Sequence, residues 1–401
     1  MTGLAVSLAF RNLGRHRWRT LLVGLAIAIG AASVVLHVSL VDGLRRQMTH
    51  NLVVSQYGDI AISPVPEQLI RDPARVMKSI ADFVPGVRME QSLSTLGMAF
   101  GEETSTSRIA LWGSGPVPEG GPARIRTAEH AGIRFQAGTV LLGASIAERL
   151  GVQAGDTVTL SVLDQVGDLD ASVFEVAAIL EKGAPWQDYF AYLALEDLQS
   201  LMGIGNAVSL IKLYLPHGIR GADSMALRLR NHLQNDQEPV EVATYKEKGG
   251  LYMGIITAAR IQAAMINIVL LFAVAFSVAG AQLLAIHERQ REFGTMVALG
   301  TPRSAIRTMI LTEGAVLAIL AGTMGAVLGA GVALALGRTG IGMSAEAFAW
   351  MVGGPRIVPV VDGLSVLWIL LELIVVVTLA GLFPASRAAR MLPVTALQRA
   401  T

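Results

Sequence analysis

Four apolar runs, Leu21–Val41, Ile261–Ile286, Gly314–Gly337 and Gly363–Pro384, punctuate this chain, and the mostly polar stretch Asp42–Arg260 separates the first from the second. Each run meets the roughly 20 residues that a helix needs to cross a hydrocarbon core about 30 Å thick. Glu372 is the only Asp, Glu, Lys or Arg inside them. The pattern predicts a membrane protein whose working surface outside the bilayer is the large insertion after the first span.

Within the insertion the pattern alternates between strand and helix periods. Strands are predicted at Thr139–Leu142, Thr157–Val162, Ser172–Leu180, Leu210–Leu215 and Val240–Tyr245. Helices are predicted at Pro73–Phe83, Ala144–Leu150 (stopped by Gly151), Leu195–Met202 and Arg220–Gln234. Such interleaving implies an α+β domain, expected to have two lobes. At the N-terminus, Ala5, Val6, Ala9, Phe10 and Leu13 share one helical face opposite Ser7, Arg11, Gly14 and Arg15, which suits a helix lying in the membrane interface. Small residues recur every fourth position in two spans, Ala273, Ser277, Ala281 and Ala285 in one and Ala321, Gly325, Gly329 and Ala333 in the other. Stripes of this kind let membrane helices approach closely.

Composition agrees, with 52% hydrophobic against 16% charged residues. The net charge of +1 conceals an asymmetry: Asp42–Arg260 holds 19 basic and 25 acidic residues, a net −6. The opposite flanks are arginine-rich: Arg11, Arg15, Arg17 and Arg19 before the first run, Arg289, Arg291, Arg303 and Arg307 between the second and third, and Arg387, Arg390 and Arg399 after the fourth. The positive-inside rule places those flanks in the cytoplasm and the insertion outside. A basic surface with this origin gives no reason to expect nucleic-acid binding. The first run reads as an uncleaved signal-anchor. The sequence contains no cysteine, which removes disulfides and thiolate metal sites.

Catalytic and metal motifs are sparse. The seven histidines show no HExxH or zinc-like spacing, and no Gly-x-Ser-x-Gly elbow is present. None of the five lysines follows a glycine, so this sequence has no Walker A loop to cradle a nucleotide. Asp164, Asp168 and Asp170 lack the EF-hand pattern and read better as a solvated loop than as a calcium site. Glu372 is costly inside a membrane and should face protein or a watery cavity. It could line a substrate path, pair across a subunit seam, reach the outer interface, or be protonated and bonded to neighbours near Thr378. An intramembrane hydrolase would need a catalytic pair, for which Glu372 with His37 is the one thin candidate.

The strongest local signal is His287–Arg303, running on to Glu313-Gly314. Glu288, Arg289, Arg291 and Glu292 are spaced for ion pairs on a short helix. Phe293, Met296 and Val297 form an apolar patch expected to be exposed, and Gly300 and Pro302 end the helix. Such a helix could plug a groove on another protein or merely turn the chain.

The segment Glu288-x-x-x-Glu292-Phe-Gly-x-Met-x-Ala-Leu-Gly300, with Arg303, Ile306 and Glu313-Gly314, resembles the coupling-helix region of the FtsX-like, MacB-type ABC transporter permease superfamily. The opening Ala9–Thr20, the stretch Val140–Asp156 and the close Phe383–Leu397 resemble other signatures of that superfamily. In layout the chain is most similar to its lipoprotein-releasing permeases, LolC and LolE. Those carry a longer loop where this chain has Asp164–Ala171.

The resemblance implies an α-helical membrane protein with four transmembrane helices and an α+β, MacB-like periplasmic domain inserted between the first and second. The expected division is an interfacial helix at 1–19, spans at 20–44, 256–287, 303–337 and 363–384, a periplasmic domain at 45–255, a coupling helix at 288–302, a short periplasmic loop at 338–362 and a cytoplasmic tail at 385–401. It also implies a non-catalytic permease subunit of a bacterial inner-membrane ABC complex, without a cofactor of its own. ATP and Mg would sit on a partner ATPase dimer, and a second permease copy or paralogue would complete the complex. The implied mechanism is mechanotransmission, releasing or exporting a lipoprotein or other amphipathic cargo, in some members to a periplasmic acceptor protein. The alternative is an FtsX-type signalling protein that regulates a periplasmic partner. Matching the motif assigns ATPase contact to Glu288, Arg291, Glu292, Phe293, Met296 and Leu299. Topology makes His37, Leu40, Val41, Tyr252, Ile255, Ile256 and Glu372 candidates for a cargo path.

Overall fold

The structure, a computed structural model, describes residues 17–65, 69–101, 106–114, 136–163, 167–180, 190–216, 218–234, 238–342 and 356–390. The interfacial helix expected over the first 19 residues lies almost wholly outside them, as do Asp164 and the closing motif beyond Arg390. The chain divides into two compact units, one of residues 46–256 and 342–356 and one of the remainder.

In chain order, helix α1 (Arg17–Asn51) runs into a π-helical turn (Leu52–Tyr57) and strand β1 (Ile60–Pro64). There follow α2 (Pro73–Phe83), β2 (Arg88–Phe100), β3 (Thr106–Ser114), β4 (Thr139–Leu142), α3 (Ala144–Leu150), β5 (Thr157–Leu163), β6 (Leu169–Ile179) and β7 (Phe190–Ala194). Next come α4 (Leu195–Leu201), β8 (Leu210–Tyr214), α5 (Ala222–Leu233), β9 (Val240–Thr244) and α6 (Tyr245–Lys248). The chain closes with α7 (Gly250–Glu288), α8 (Gln290–Ala298), α9 (Arg303–Thr339), the short pair β10 (Ile341–Gly342) and β11 (Arg356–Ile357), and α10 (Gly363–Ala389). Local chemistry sets several of these boundaries. Pro73 occupies the first turn of α2, and the Asp72 carboxylate accepts from the Arg75 N–H at 3.1 Å. Gly151 ends α3 with φ 70°, a conformation that glycine adopts without strain. Thr244 and Glu247 form a reciprocal capping box on α6.

The α+β unit is built on one nine-stranded sheet of order β3-β7-β4-β6-β5-β2-β8-β1-β9. A further pairing of β3 with β2 closes six of these strands into a ring. The long strand β2 serves both parts: its Gly97–Phe100 end pairs with β5 in the ring, while Arg88–Ser92 pairs with β8 outside it. One continuous apolar core runs through both parts, from Ile60 and Ile80 to Leu142 and Leu193. The two lobes expected from sequence therefore share a sheet and a core.

Strands β1, β2, β3 and β7 escape the sequence pattern, and β2 shows why. It buries polar side chains, so its hydrophobic alternation is broken. Glu90 and Lys212 on β8 are both buried, with Lys212 Nζ 3.2 Å from Glu90 Oε1. Glu90 Oε1 also accepts from Ser114 Oγ at 2.9 Å, and Glu90 Oε2 from the Tyr214 hydroxyl at 3.0 Å. The Lys212 ammonium lies 5.0 Å from the Trp112 ring centre. Burial pulls the Lys212 ammonium below the ordinary lysine range, with Glu90 opposing that shift. Tyr214 is pushed above the ordinary phenol range by burial and then by Glu90.

Among the described residues, the chain has four helices long and apolar enough to cross a membrane, packed in the other unit. Even the shortest, α10 with 27 residues, spans about 40 Å at about 1.5 Å per residue. Ile27, Ala31, Val274, Val278, Ala318, Ala321, Leu373 and Val377 form its central core. The α9 stripe is a true seam. A Cβ at Gly325 would stand 2.1 Å from the Ala28 carbonyl oxygen, and one at Gly329 2.6 Å from that of Ala32, so α1 and α9 meet backbone to backbone. The α7 stripe makes no such seam along its length within this chain: Ala273 and Ser277 are exposed, Ala281 and Ala285 are half-buried, and Val274 and Val278 are buried instead. The Val274 side chain packs over Gly30 of α1, where a Cβ would stand 2.3 Å from its Cγ2.

Lys212→Met should destabilise the α+β unit by about 3–5 kcal/mol, because it strands the Glu90 carboxylate in the core. Adding Glu90→Gln should recover most of that loss. Hydrogen exchange across β2 and β8 reads both effects, and equal protection in wild type and single variant would contradict the assignment.

Candidate functional site

Helix α7 ends at Glu288, and Arg289 leaves helical geometry with φ −105° and ψ 17°. α8 restarts at once, with the Phe293 N–H donating to the Arg289 carbonyl at 3.1 Å. Its end is a Schellman motif: Gly300 N–H donates to Val297 O and Thr301 N–H to Met296 O, each at 3.0 Å, with Gly300 at φ 87°. Pro302 then leads into α9. The glycine–proline stop expected from sequence therefore operates through specific carbonyl caps.

The inward face of α8 corrects one expectation. Phe293 is 1% exposed, packed with Ile286 of α7, Ile306, Met309 and Ile310 of α9, and Ala385 and Ala388 of α10. Met296 and Val297 are half-buried against the same cluster. The three side chains do share one stripe, but the chain's own helix ends supply the apolar groove that receives it. The outward face carries Arg291, Thr295, Ala298 and Leu299, the last 87% exposed, beside Glu288 at the end of α7. Glu292 lies between the two faces.

Arg289 holds the joint. Its Nε donates to Glu292 Oε2 at 2.8 Å and its Nη1 to Glu313 Oε2 of α9 at 3.4 Å. The guanidinium also stacks over Phe293, 5.2 Å from the ring centre. With the side chain only 10% exposed, water screens these contacts less than it would on an open surface. From sequence Arg289 looked like one more member of a surface charge pattern. Its partner Glu313 is 24 residues away, and nothing in the local spacing signals that contact.

Behind the joint is a cavity of about 60 Å³ lined by Gln282, Ala285, Arg289, Phe293, Glu313 and Gly314, among others. Gln282 is wedged between two glycines. A Cβ at Gly314 would stand 2.5 Å from its Nε2, and one at Gly381 2.9 Å from its Oε1. That Oε1 is buried without a hydrogen-bond donor. The joint offers stiffness and shape rather than a nucleophile paired with a base.

The candidate path residues lie on three helices, α1, α7 and α10. His37, Leu40 and Val41 on α1 are half-buried, and the His37 Nε2 is buried without a partner. Tyr252 and Ile255 on α7 are half-buried, and Ile256 is buried. Glu372 on α10 is exposed and accepts from Asn267 Nδ2 of α7 at 3.3 Å. Asn267 was absent from the sequence-based candidates, although an amide within an apolar run was a visible signal. Asp168 and Asp170 are exposed, and among the described residues no group of three His, Cys, Asp or Glu could hold a metal ion.

Comparison with known proteins places the sequence in a family. Residues 264–393 match the FtsX-like permease C-terminal model, and residues 20–237 match the MacB-like periplasmic core domain. The chain is 25% identical over 429 residues to the pyoverdine export ATP-binding/permease protein PvdT of Pseudomonas savastanoi pv. phaseolicola, covering 98% of this chain and 59% of that protein. It is 25% identical over 435 residues to the macrolide export ATP-binding/permease protein MacB of Nitrobacter winogradskyi, with the same coverage. With the lipoprotein-releasing system transmembrane protein LolE of Haemophilus influenzae it shares 23% identity over 416 residues, covering 93% of this chain and 92% of LolE. The chain thus spans 59% of the length of the two export proteins and nearly all of LolE.

Phe293→Ala should cost the joint about 3–5 kcal/mol through the cavity it leaves. α8 should then lose amide protection, while Leu299→Ala leaves protection unchanged. Hydrogen exchange resolved to residues 290–298 decides this, and an unprotected α8 in the wild type would contradict the anchoring role.

Proposed function

This chain belongs to the FtsX-like, MacB-type family of ABC transporter permeases, and from that premise we propose that it is the membrane subunit through which a separate ATPase drives work outside the inner membrane. The observation that carries the proposal is the joint at α8: a nine-residue helix anchored inward by Phe293 and Arg289, with Arg291 and Leu299 turned outward. A docked ATPase dimer would grip that outward face together with Glu288 and Glu292. Phe293 and Met296, inside the joint, would pass the displacement to α7, α9 and α10.

The arginine-rich flanks support a cytoplasmic position for this joint and for both termini. They support a periplasmic position for the net-negative domain carried between α1 and α7. ATP and Mg would reside on the ATPase, outside the residues of this sequence, in which no lysine follows a glycine as a Walker A loop requires. Near end-to-end likeness to LolE, a lipoprotein-releasing system transmembrane protein, favours an amphipathic cargo such as a lipoprotein over a small soluble solute. A second copy or paralogue would complete the membrane part, and a periplasmic acceptor could receive the cargo.

The combined change Arg291→Glu, Leu299→Ala should reduce co-purification of the cognate ATPase by about tenfold, a loss of about 1.4 kcal/mol. The thermal stability of the permease should be unchanged. Wild-type association of this variant would sink the assignment of α8 as the ATPase handle. In the reconstituted complex, added lipoprotein should raise ATP turnover; stimulation by a periplasmic partner protein alone would favour the signalling role.

A further inference from the structure

We propose that Glu372, Trp368 and Asn267 form a binding site for the head of a cationic amphiphile on the membrane face shared by α7 and α10. The assignment deepens the cargo reading above and rests on it, naming the chemistry that this face would recognise. Glu372 lies nine residues into α10 and Asn267 six residues into the apolar run from Ile261, so both sit well within the spans. A carboxylate at that depth is strongly disfavoured unless something satisfies it. Among the described residues one neutral donor reaches it, the Asn267 amide at 3.3 Å.

The missing partner cannot come from the apolar runs of this chain, in which Glu372 is the sole Asp, Glu, Lys or Arg. A second copy would bring the same uncharged runs and another carboxylate. In a pair of identical copies, the positive charge that an ionised Glu372 calls for would then be brought by a mobile ligand.

The surroundings specify that ligand further. Trp368 is one helical turn from Glu372 on the same face of α10 and is 59% exposed. An indole beside a carboxylate is suited to an ammonium group, which the ring face and the negative charge attract together. Met265, Ile268 and Leu371 are exposed by 63%, 54% and 49% and offer an apolar bed for a chain attached to that head. An anionic amphiphile would place like charge against Glu372, and a soluble cation would leave the bed unused.

The test uses the full chain in dodecyl maltoside micelles, without the ATPase. The probes are a dansyl-labelled undecyl trimethylammonium and, as its anionic counterpart, dansyl-aminoundecanoate, read by energy transfer from tryptophan and by anisotropy. The wild type should bind the cationic probe, unlabelled dodecyltrimethylammonium should displace it, and dodecanoate should not. Glu372→Gln should weaken cationic binding by about tenfold or more, and Glu372→Asp should retain most of it. Trp368→Leu should weaken it by about threefold to tenfold without disturbing the carboxylate, which keeps the proposal testable if Glu372→Gln folds poorly. Equal binding of both probes, or unchanged cationic affinity in Glu372→Gln and Trp368→Leu, would overturn it. So would a Glu372→Gln variant that separates permease pairs while probe affinity stays constant, since the residue would then serve a subunit seam. A failed probe assay alongside normal ATPase association would sink this site and leave the permease assignment standing.

Discussion

The burial of Phe293 is the contact on which the rest of the account turns. A nine-residue helix has almost no stability of its own in water. α8 is defined because its aromatic ring is sealed among the ends of α7, α9 and α10, with the Arg289 guanidinium laid over it and tied to Glu313. A fully buried aromatic ring contributes several kcal/mol through area alone. In the proposed mechanism, a push on the outer face of α8 would therefore be delivered to three membrane helices. An exposed phenylalanine inserted into a partner would divide the labour differently, with the partner supplying the stiffness and the helix free to swing.

Delivery of a push also requires stiffness along the spans. Gly325 and Gly329 let α9 lie directly on the backbone of α1, and Gly322 leaves room for the Leu373 side chain of α10. Close-packed seams transmit displacement because they have little slack. At its far end α1 continues into the π-helical turn, whose Val54 carbonyl accepts from the Tyr214 hydroxyl at 3.4 Å. Tyr214 is itself bound to the buried Glu90–Lys212 pair. Polar burial in the sheet and glycine packing between the helices thus serve one purpose, which is to limit the number of arrangements open to each unit.

What sequence discloses here depends on whether the information is local. The spans follow from hydropathy, α2 and α3 from proline, cap and glycine stop, and the α8 turn from Gly300 and Pro302. Strands β2 and β3 were missed because β2 buries Glu90 and Ser92, and the partners that make such burial tolerable lie on other strands. The orientation of α8 was misjudged for a related reason. Periodicity identifies a stripe of Phe293, Met296 and Val297, but whether it meets the chain's own helices or a partner is decided by tertiary packing. Arg289–Glu313 and Asn267–Glu372 are long-range pairs that no local spacing reveals.

The sequence has no cysteine, so spin labels can be introduced at chosen pairs of sites without background. Labels at Ala298 on the outer face of α8 and at the exposed Leu320 of α9 measure the rigidity of the joint directly. The anchored arrangement predicts one narrow distance distribution that stays the same when ATP-loaded ATPase is added. A broad distribution, or a second population appearing with the ATPase, would mean that α8 swings on a hinge, contradicting the account.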